Sequence, residues 1–389
     1  MAPGPARFPQ ARLDLRVDPQ SPRALVLSGG GARGAFQVGV WEVLARDPRG
    51  FGRLPEIVSG TSAGAINAYL MACGLGPEEM LAFWLHLAKD PPVIANERFF
   101  RSLTNALVTL IVREPLRGPG RRWRELGILR SLVSKHALRR ASGIEAALLE
   151  FMLTARFDSV SYLLERVETP FLFDASPLAD RLRQATRGLR PDRTKLAINT
   201  VDAQTGSVVR FVNHEPVKRV GSSAAHYRVV PEITPEMVLA SASIPLLFNP
   251  VPVGGRSYWD GGLLVNTPLA PSIALGAARV VPVMVTPKRR EMAPLETAGD
   301  GLERLVDTFL ENAYQIDRKL LLDRNALASR DPDLRVVSLF HAIRPQSGRT
   351  FDAGSYLFFE KSALLAMYDE GKRAAASWLA SGLELDERR

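Results

Sequence analysis

The sequence predicts an α/β fold with a mostly parallel central sheet and a helical, basic insertion. Near the N-terminus, "RALVLS" and "EIVS" are short apolar runs, and each leads through a glycine turn into a helical pattern. Apolar strands and amphipathic helices resume after about residue 190. Strands that alternate with helices form a parallel sheet with helical crossovers.

The first part of the chain supplies two strand–turn–helix units and one further helix. Strands are predicted over Arg23–Ser28 and Glu56–Ser59, because both runs are short and apolar. Helices are predicted over Ala35–Arg46, Ser62–Ala72 and Pro77–Ala88 from the spacing of their apolar residues. The last of these opens with proline and two acids, which is typical of a helix start.

The second part of the chain returns to the same rhythm. Two strand-like runs within Lys195–Asn213 flank "DAQTG", which predicts a hairpin. The remaining elements are predicted from their apolar patterns: a helix over Thr234–Ser243, strands over Arg279–Val285 and Leu334–Phe340, and helices over Gly301–Asn325 and Ser362–Ala380.

These elements suggest one large domain with additions. Residues 1–22 form a tail that is rich in Pro and Arg and lacks the apolar core of a secretory signal. Residues 23–270 form the predicted catalytic domain, interrupted at about 90–190 by the insertion, and residues 271–389 complete or flank it. The sequence contains no run of roughly 18 apolar residues, so no transmembrane helix is predicted.

The composition is that of a globular protein, with 389 residues, 46% of them apolar, and a mean hydropathy of −0.02. A single cysteine, Cys73, excludes an intrachain disulfide and favours a reducing compartment. We therefore expect a cytoplasmic protein, and we expect Cys73, at an apolar helix end, to be buried and inert.

The net charge of +9 is concentrated in Arg113–Arg140, which holds nine basic residues. Such a field attracts anionic lipid, although a solvated arginine surface explains it equally well. No nucleic-acid partner is expected, and the oligomeric state is not predicted. An apolar run precedes the basic residues, so the hypothesis is peripheral contact with an anionic membrane through three arginines and a tryptophan: Arg121, Arg122, Trp123 and Arg124.

The motif "GTSAG", Gly60–Gly64, has the G-x-S-x-G pattern. With a strand before it and a helix after it, this pattern places a serine on a sharp turn that the glycines make possible. The helix N-terminus directs backbone N–H groups towards the turn, which suits a developing oxyanion. Ser62 is therefore the candidate nucleophile, with an ordinary small-residue loop as the alternative.

The segment "SGGGARGAF" matches G-x-G-x-x-G at Gly29, Gly31 and Gly34. A dinucleotide site needs an acid about 20 residues on, at the end of the second strand, and Asp47 is poorly placed for this. No Gly-Lys-Ser/Thr follows, which excludes a phosphate-binding P-loop. The remaining role is donation of backbone N–H groups across a small gap to Ser62.

The general base has two candidates. Asp260 lies in "SYWDGG", where aromatic neighbours could remove water from the carboxylate and raise its pKa. An Asp that only folds a Gly-Gly turn is an equal alternative. His341 follows a predicted strand, and the order Ser62, Asp260, His341 would be that of an α/β-hydrolase triad. Of the other histidines, His86 and His136 are expected at the surface or already paired, and His214 and His226 flank a polar loop.

Three motifs in order, "GGGARG", "GTSAG" and "DGG", resemble those of the patatin-like phospholipase family over about Arg23 to Leu269. The resemblance implies a three-layer α/β/α patatin-like fold and a Ser62–Asp260 dyad without histidine. It implies an oxyanion hole from Gly29, Gly30, Gly31 and Gly34. It also implies support from the other motif residues: Arg33, Gly60, Gly64, Gly261 and Gly262.

The resemblance further implies a lipid or phospholipid substrate and no metal or other cofactor in the chemical step. Asp202 also resembles a family position, with a turn-forming role expected, while Asn266 and Thr267 would order the loop after Asp260. The predicted function is a serine lipid acyl hydrolase of phospholipase A or lysophospholipase type. The alternatives are an acyltransferase, a broad carboxylesterase, or a catalytically silent basic membrane-binding protein. The long insertion departs from compact family members and leaves substrate access open.

Overall fold

The computed structural model describes residues 21–90, 93–113, 165–217, 226–287, 298–328, 335–346, 356, 359–381 and 385–386. The chain divides into two compact units. The larger comprises Met1–Pro92, Leu178–Ser243 and Pro250–Arg389, and the smaller comprises Val93–Pro177 and Ile244–Asn249.

The described strands and helices are numbered in chain order. The strands are β1 (Arg23–Leu27), β2 (Ile57–Gly60), β3 (Ile94–Ala95), β4 (Phe171–Asp174), β5 (Lys195–Asp202), β6 (Val208–Val212), β7 (Tyr227–Val229), β8 (Leu246–Phe248), β9 (Val251–Val253), β10 (Arg256–Asp260), β11 (Arg279–Val283) and β12 (Ser338–Leu339). The α-helices are α1 (Gly34–Arg46), α2 (Ala63–Ala72), α3 (Pro77–Lys89), α4 (Glu97–Arg113), α5 (Ser176–Ala185), α6 (Pro235–Ala242), α7 (Leu269–Ala274), α8 (Ala298–Ala328) and α9 (Lys361–Ala380).

The larger unit is built on a sheet with the strand order β12-β11-β1-β2-β5-β10-β9, extended by β6 and β7 beside β5. The five strands from β12 to β5 run parallel to one another, whereas β10 pairs antiparallel with β5 and β9, and β6 pairs antiparallel with β5 and parallel with β7. The mostly parallel sheet and the two N-terminal strand–turn–helix units are confirmed.

Strand β5 places the C-terminal ends of β2 and β10 next to each other. Its segment Ala197–Val201 pairs with β6 along one edge, so its other partners share the opposite edge. There, β2 pairs with Lys195–Ile198 in parallel, and β10 pairs with Thr200–Asp202 antiparallel. The C-terminal ends of β2 and β10 therefore face each other along one edge, at positions two residues apart, or about 7 Å.

Helices cover both faces of the sheet. On one face, apolar side chains of the strands form a core with those of α7 and α8, and its members include Ala24, Val26, Ile57, Val280, Leu269, Tyr314 and Leu321. Because side chains alternate along a strand, Leu25 and Leu27 point to the other face, and both are buried. Elsewhere in this unit α2 contacts β1 and β2, and α1 packs on α3 and α9. The three-layer α/β/α fold is confirmed.

The smaller unit contains a separate sheet with the order β3-β4-β8. Strand β3 pairs antiparallel with β4, β4 pairs parallel with β8, and α4 contacts β4. The insertion predicted at 90–190 overlaps this unit, but its basic centre, with Arg121, Arg122, Trp123, Arg124 and His136, lies outside the described residues. The predicted domain boundaries therefore stay a prediction.

The predicted strand Leu334–Phe340 is observed only over Ser338–Leu339. The reason lies in the segment with which β12 pairs. The Ser338 N–H donates to the Ala278 carbonyl (2.8 Å), but the Ala278 N–H, which would bond to the Val336 carbonyl in a longer parallel ladder, donates instead to the Pro22 carbonyl (3.0 Å). On the other edge of the segment, Asn325 on α8 donates to the Val337 carbonyl (2.7 Å) and accepts from the Val337 N–H (3.0 Å).

Candidate active site

Ser62 lies on a sharp, strained turn between β2 and α2. Its backbone has φ 54° and ψ −124°, a region that non-glycine residues rarely occupy. The turn is fixed by its neighbours: the Thr61 N–H donates to the Leu27 carbonyl (3.3 Å), and the Ser62 N–H donates to Ser241 Oγ (3.0 Å). The Ser62 side chain is thereby presented in one orientation, with the residue 6% exposed.

The glycines on either side of Ser62 have a direct steric role. A Cβ atom on Gly64 would overlap the Leu27 carbonyl oxygen, and a Cβ on Gly60 would overlap the Gly64 carbonyl oxygen. Only glycine lets α2 begin this close to the ends of β1 and β2. The spacing of the motif is therefore the spacing that the turn requires.

Asp260 reaches Ser62 because β10 ends where β2 ends. Asp260 is the last residue of β10, pairs with Thr200 on β5, and is 4% exposed. Gly60 pairs with Ile198, two residues away on the same edge of β5. The Ser62 side chain therefore lies beside the Asp260 carboxyl group, close enough to lower its pKa.

Burial raises the pKa of Asp260 from 3.8 to about 7. Hydrogen bonds from the Gly262 N–H (2.7 Å to Oδ1) and from the Ser62 side chain oppose this rise, because both stabilise the charged form. A carboxyl group with a pKa near neutrality, in contact with a hydroxyl, is well suited to general-base chemistry. The direction of the shift is the one that the sequence suggested.

The loop after Asp260 is fastened to the strands that carry the two other motifs. The Val265 carbonyl accepts from Thr61 Oγ1 (3.0 Å), and the Pro268 carbonyl accepts from Ser59 Oγ (2.9 Å). Asn266 forms two hydrogen bonds with Gly29, as expected for a residue that orders this loop. Its backbone carbonyl accepts from the Gly29 N–H, and its side-chain amide donates to the Gly29 carbonyl. Thr267 is buried, and its hydroxyl has no partner among the described residues.

The glycine turn after β1 lies against Ser62: a Cβ on Gly29 would be 3.0 Å from the Ser62 Cβ. Not all four of its glycines can donate to a substrate. The Gly29 N–H donates to the Asn266 carbonyl (3.1 Å), and the Gly34 N–H donates within the turn to the Gly31 and Ala32 carbonyls. The N–H groups of Gly30 and Gly31 have no acceptor in the described part of the chain.

The structure therefore narrows the predicted set of oxyanion donors from four glycines to Gly30 and Gly31. It adds the Ala63 N–H at the start of α2, which also lacks an acceptor within the described ranges. In the sequence this residue was marked only by its place directly after the serine of G-x-S-x-G, where such a donor is usual. Arg33 is fully buried and forms an ion pair with Asp307 (3.0 Å).

The histidine candidates have their partners elsewhere. His341 lies 3.8 Å from an Asp386 oxygen and follows the edge strand β12, which is three strands, about 14 Å, away from β2. The other three described histidines bond to residues outside the site: His86 to Arg181, His214 to Asn213, and His226 to the Val208 carbonyl.

Asp202 and Cys73, two further residues that the sequence singled out, have contacts that indicate structural roles. The Asp202 carboxylate accepts from Arg256 (2.7 Å) and from the Gln204 and Thr205 amides, as expected for a turn-forming residue, and its pKa is lowered chiefly by Arg256. Cys73 is buried, and burial raises the pKa of its thiol to about 12. Across the described ranges, no group of three or more His, Cys, Asp or Glu residues could hold a metal ion.

A buried serine on a strained strand-to-helix turn, beside an aspartate on a mostly parallel sheet, is an arrangement of serine acyl hydrolases. The model of the family described as patatin-like phospholipase matches residues 25–273. The chain belongs to this family, which is one of lipid acyl hydrolases. No match is found among curated proteins.

Three solved structures are similar to the chain at low identity. VipD from Legionella pneumophila is 16% identical, with a TM-score of 0.34, over 92% of this chain and 67% of VipD. The type III effector protein ExoU is 14% identical, with a TM-score of 0.32, over 94% of this chain and 55% of ExoU. Full-length ExoU in complex with full-length SpcU from Pseudomonas aeruginosa is 17% identical, with a TM-score of 0.31, over 94% of this chain and 53% of that chain. The chain thus spans about half to two thirds of these proteins' length.

The strain at Ser62 predicts a difference between two inactive variants. Ser62→Gly removes the side chain that disfavours positive φ, whereas Ser62→Ala keeps the strain and loses the same hydroxyl. We expect Ser62→Gly to have a free energy of unfolding about 1 kcal/mol higher than Ser62→Ala. Urea denaturation of the two variants measures this difference in the free energy of unfolding, and equal stabilities would mean that the turn stores no strain.

Proposed function

We propose that the protein is a serine lipid acyl hydrolase of phospholipase A or lysophospholipase type, acting through a Ser62–Asp260 dyad. The observation that carries the proposal is that the ends of β2 and β10 bring the Ser62 side chain beside a buried carboxyl group, whose pKa is raised to about 7. The strained turn, the enclosing glycines and the family membership support the same chemistry.

In the proposed mechanism, Asp260 takes the proton from Ser62 Oγ as this oxygen attacks the ester carbonyl carbon. The N–H groups of Gly30 and Gly31 donate to the carbonyl oxygen as it becomes negative. When the tetrahedral intermediate collapses, Asp260 returns the proton to the departing alcohol or lysolipid, and the acyl group remains on Ser62. Water then attacks the acyl-enzyme with Asp260 as base, releasing the fatty acid and restoring the serine.

The surroundings of Asp260 support a substrate with an apolar part. Leu263 and Leu264 follow Asp260 after two glycines and are 39% and 49% exposed. The loop that carries them is anchored next to Ser62, because the Val265 carbonyl accepts from Thr61 Oγ1. Exposed leucines at a fixed position next to a nucleophile suit contact with a fatty-acyl chain.

Peripheral membrane contact through the basic insertion stays a prediction of the sequence, as does a cytoplasmic location. Within the described residues, no helix combines the length and the apolar character needed to span a bilayer. Acyl transfer to an acceptor other than water uses the same acyl-enzyme. Chromatography of products formed with a lysolipid acceptor present separates the two, because transfer yields a new diacyl lipid and hydrolysis yields free fatty acid.

The nucleophile is tested with a fluorophosphonate probe. Wild type should be labelled, and Ser62→Ala should lose both labelling and at least about a thousandfold in ester hydrolysis. Ser207→Ala, at an exposed serine on the hairpin, is the matched control and should behave as wild type. Equal labelling of wild type and Ser62→Ala would remove Ser62 from the mechanism.

The raised pKa of Asp260 predicts an acidic limb in the pH profile. Because the base must be deprotonated, kcat/KM should fall about tenfold per pH unit below pH 7. Asp260→Asn should lose most activity at every pH, while His341→Ala should keep the limb and the rate within about twofold. A loss in His341→Ala as large as that in Asp260→Asn would favour the triad.

The Asp260 carboxyl group also affects the free energy of unfolding, in a pH window that is set by its pKa. The carboxyl group of Asp260 has a pKa of about 7 in the folded state and an ordinary value of 3.8, so the folded state binds the proton more tightly. Its favourable contribution is complete below about pH 4 and is lost as pH rises through about 7. The thermal stability of Asp260→Asn relative to wild type should accordingly rise between these values, and a pH-independent difference would argue against the shift.

The exposed leucines predict selectivity for chain length. The double variant Leu263→Ser with Leu264→Ser should lose about tenfold in kcat/KM for a palmitoyl ester and less than about twofold for a butyryl ester. Leu320→Ser, which changes an exposed leucine on the helix α8, is the control and should change neither kcat/KM value. An equal loss for both esters would show that the leucines do not contact the chain.

A further inference from the structure

Arg33 follows the glycine turn directly, in a short 3₁₀ helix over Gly31–Arg33, and its side chain is completely buried. A buried guanidinium group is stable only when it is paired. Its Nη1 atom lies 3.0 Å from Asp307 Oδ1 on α8, and its Cζ atom lies 3.7 Å from the centre of the Tyr356 ring. The Tyr356 hydroxyl donates to the same Asp307 oxygen. We call these three residues the Arg33 cluster.

The backbone of Tyr356 also contacts the glycine turn. A Cβ atom on Gly31 would overlap the Tyr356 carbonyl oxygen, and a Cβ on Gly30 would overlap a methyl group of Val285. The two glycines whose N–H groups lack an acceptor are thus enclosed by residues from the C-terminal part of the chain. Any shift of Tyr356 would therefore be transmitted to Gly31, both directly and through Arg33.

The supporting residues lie outside the segment that matches the family. The match ends at residue 273, whereas Val285, Asp307 and Tyr356 all follow it. Asp307 and Arg33 are 274 residues apart in sequence. The orientation of the glycine turn is therefore set by a part of this chain that the family motifs do not include.

We propose that Asp307 and Tyr356 are positioning residues for the reaction, which hold Arg33 and through it direct the Gly30 and Gly31 N–H groups at the ester oxygen. The inference rests on the proposed function, because it assigns those N–H groups to the oxyanion. Arg33 itself is fully buried and bonded away from the turn, so its role is to fix the backbone. A donor that points away from the developing charge loses much of its effect, and loss of one donor typically costs about 10²–10³ in rate.

The test compares Asp307→Asn with Glu311→Gln. Glu311 lies one turn further along α8, is similarly buried, and forms its own ion pair with Arg344 (2.6 Å). Two readouts are used on the full-length protein: hydrogen–deuterium exchange of the segment 24–36, and kcat and KM for ester hydrolysis. The exchange readout needs no activity.

In Asp307→Asn we expect faster exchange at Gly29 and Arg33, whose N–H groups donate to the Asn266 and Gly30 carbonyls, and a fall in kcat of about tenfold or more. KM should change by less than about twofold, because acyl-chain binding is untouched. Tyr356→Phe, which keeps the ring over Arg33, should retain more of kcat than Tyr356→Ala. Glu311→Gln should change melting temperature without changing kcat or exchange in the turn.

Three results would overturn the inference. They are unchanged exchange in Asp307→Asn, faster exchange with unchanged kcat, and losses in Glu311→Gln and Asp307→Asn that simply follow their melting temperatures. Failure of the proposed function is distinguishable, because wild type would then neither react with the fluorophosphonate nor hydrolyse esters. In that case the exchange data alone decide whether the cluster holds the turn, and a held turn without activity rejects the catalytic role.

Discussion

The site depends on one edge of strand β5 that two other strands share. Because β6 occupies the opposite edge, β2 and β10 must lie end to end along Lys195–Asp202, and because they run in opposite directions both end at its middle. The chain leaves β2 towards Ser62 and leaves β10 at Asp260 at that point. Two segments about 200 residues apart are thereby fixed side by side by backbone hydrogen bonds, which leave little freedom to separate the hydroxyl from the carboxyl group.

This arrangement brings together two features that are unfavourable for folding, a strained backbone at Ser62 and a buried carboxylate at Asp260. Ser62 has a backbone conformation that costs on the order of 1–3 kcal/mol in a non-glycine residue. A pKa raised from 3.8 to about 7 means that the Asp260 carboxylate is disfavoured by about 4 kcal/mol at high pH. The surrounding bonds from Thr61, Ser59 and the loop after Asp260 have to offset these terms. Local destabilisation that the rest of the fold supports is typical of catalytic sites.

The sequence alone predicted those parts of the site that depend on local sterics. The turn around Ser62 needs glycine at two places, and the strand and helix on either side are readable from their apolar patterns. It could not show that the Gly29 N–H is engaged, because the acceptor on Asn266 is 237 residues away. It overestimated the last strand for a related reason: the Ala278 N–H that would extend the ladder is bonded to the carbonyl of Pro22, which is distant in sequence.

The same long-range contacts show where the functional unit ends. Strand β1, which carries the glycine turn, pairs along its whole length with β11, and the bonding continues past the strand from Ser28 to Val283 and Val285. A boundary at residue 273 would remove β11 and leave β1 as an edge strand, with the Gly30 and Gly31 backbone supported on one side only. It would also remove Asp307, the acidic partner of the buried Arg33 guanidinium, and loss of one partner from a buried ion pair is strongly destabilising. The part of the chain that supports the candidate site therefore extends through β11 and α8 to Tyr356, even though every motif residue lies before residue 273.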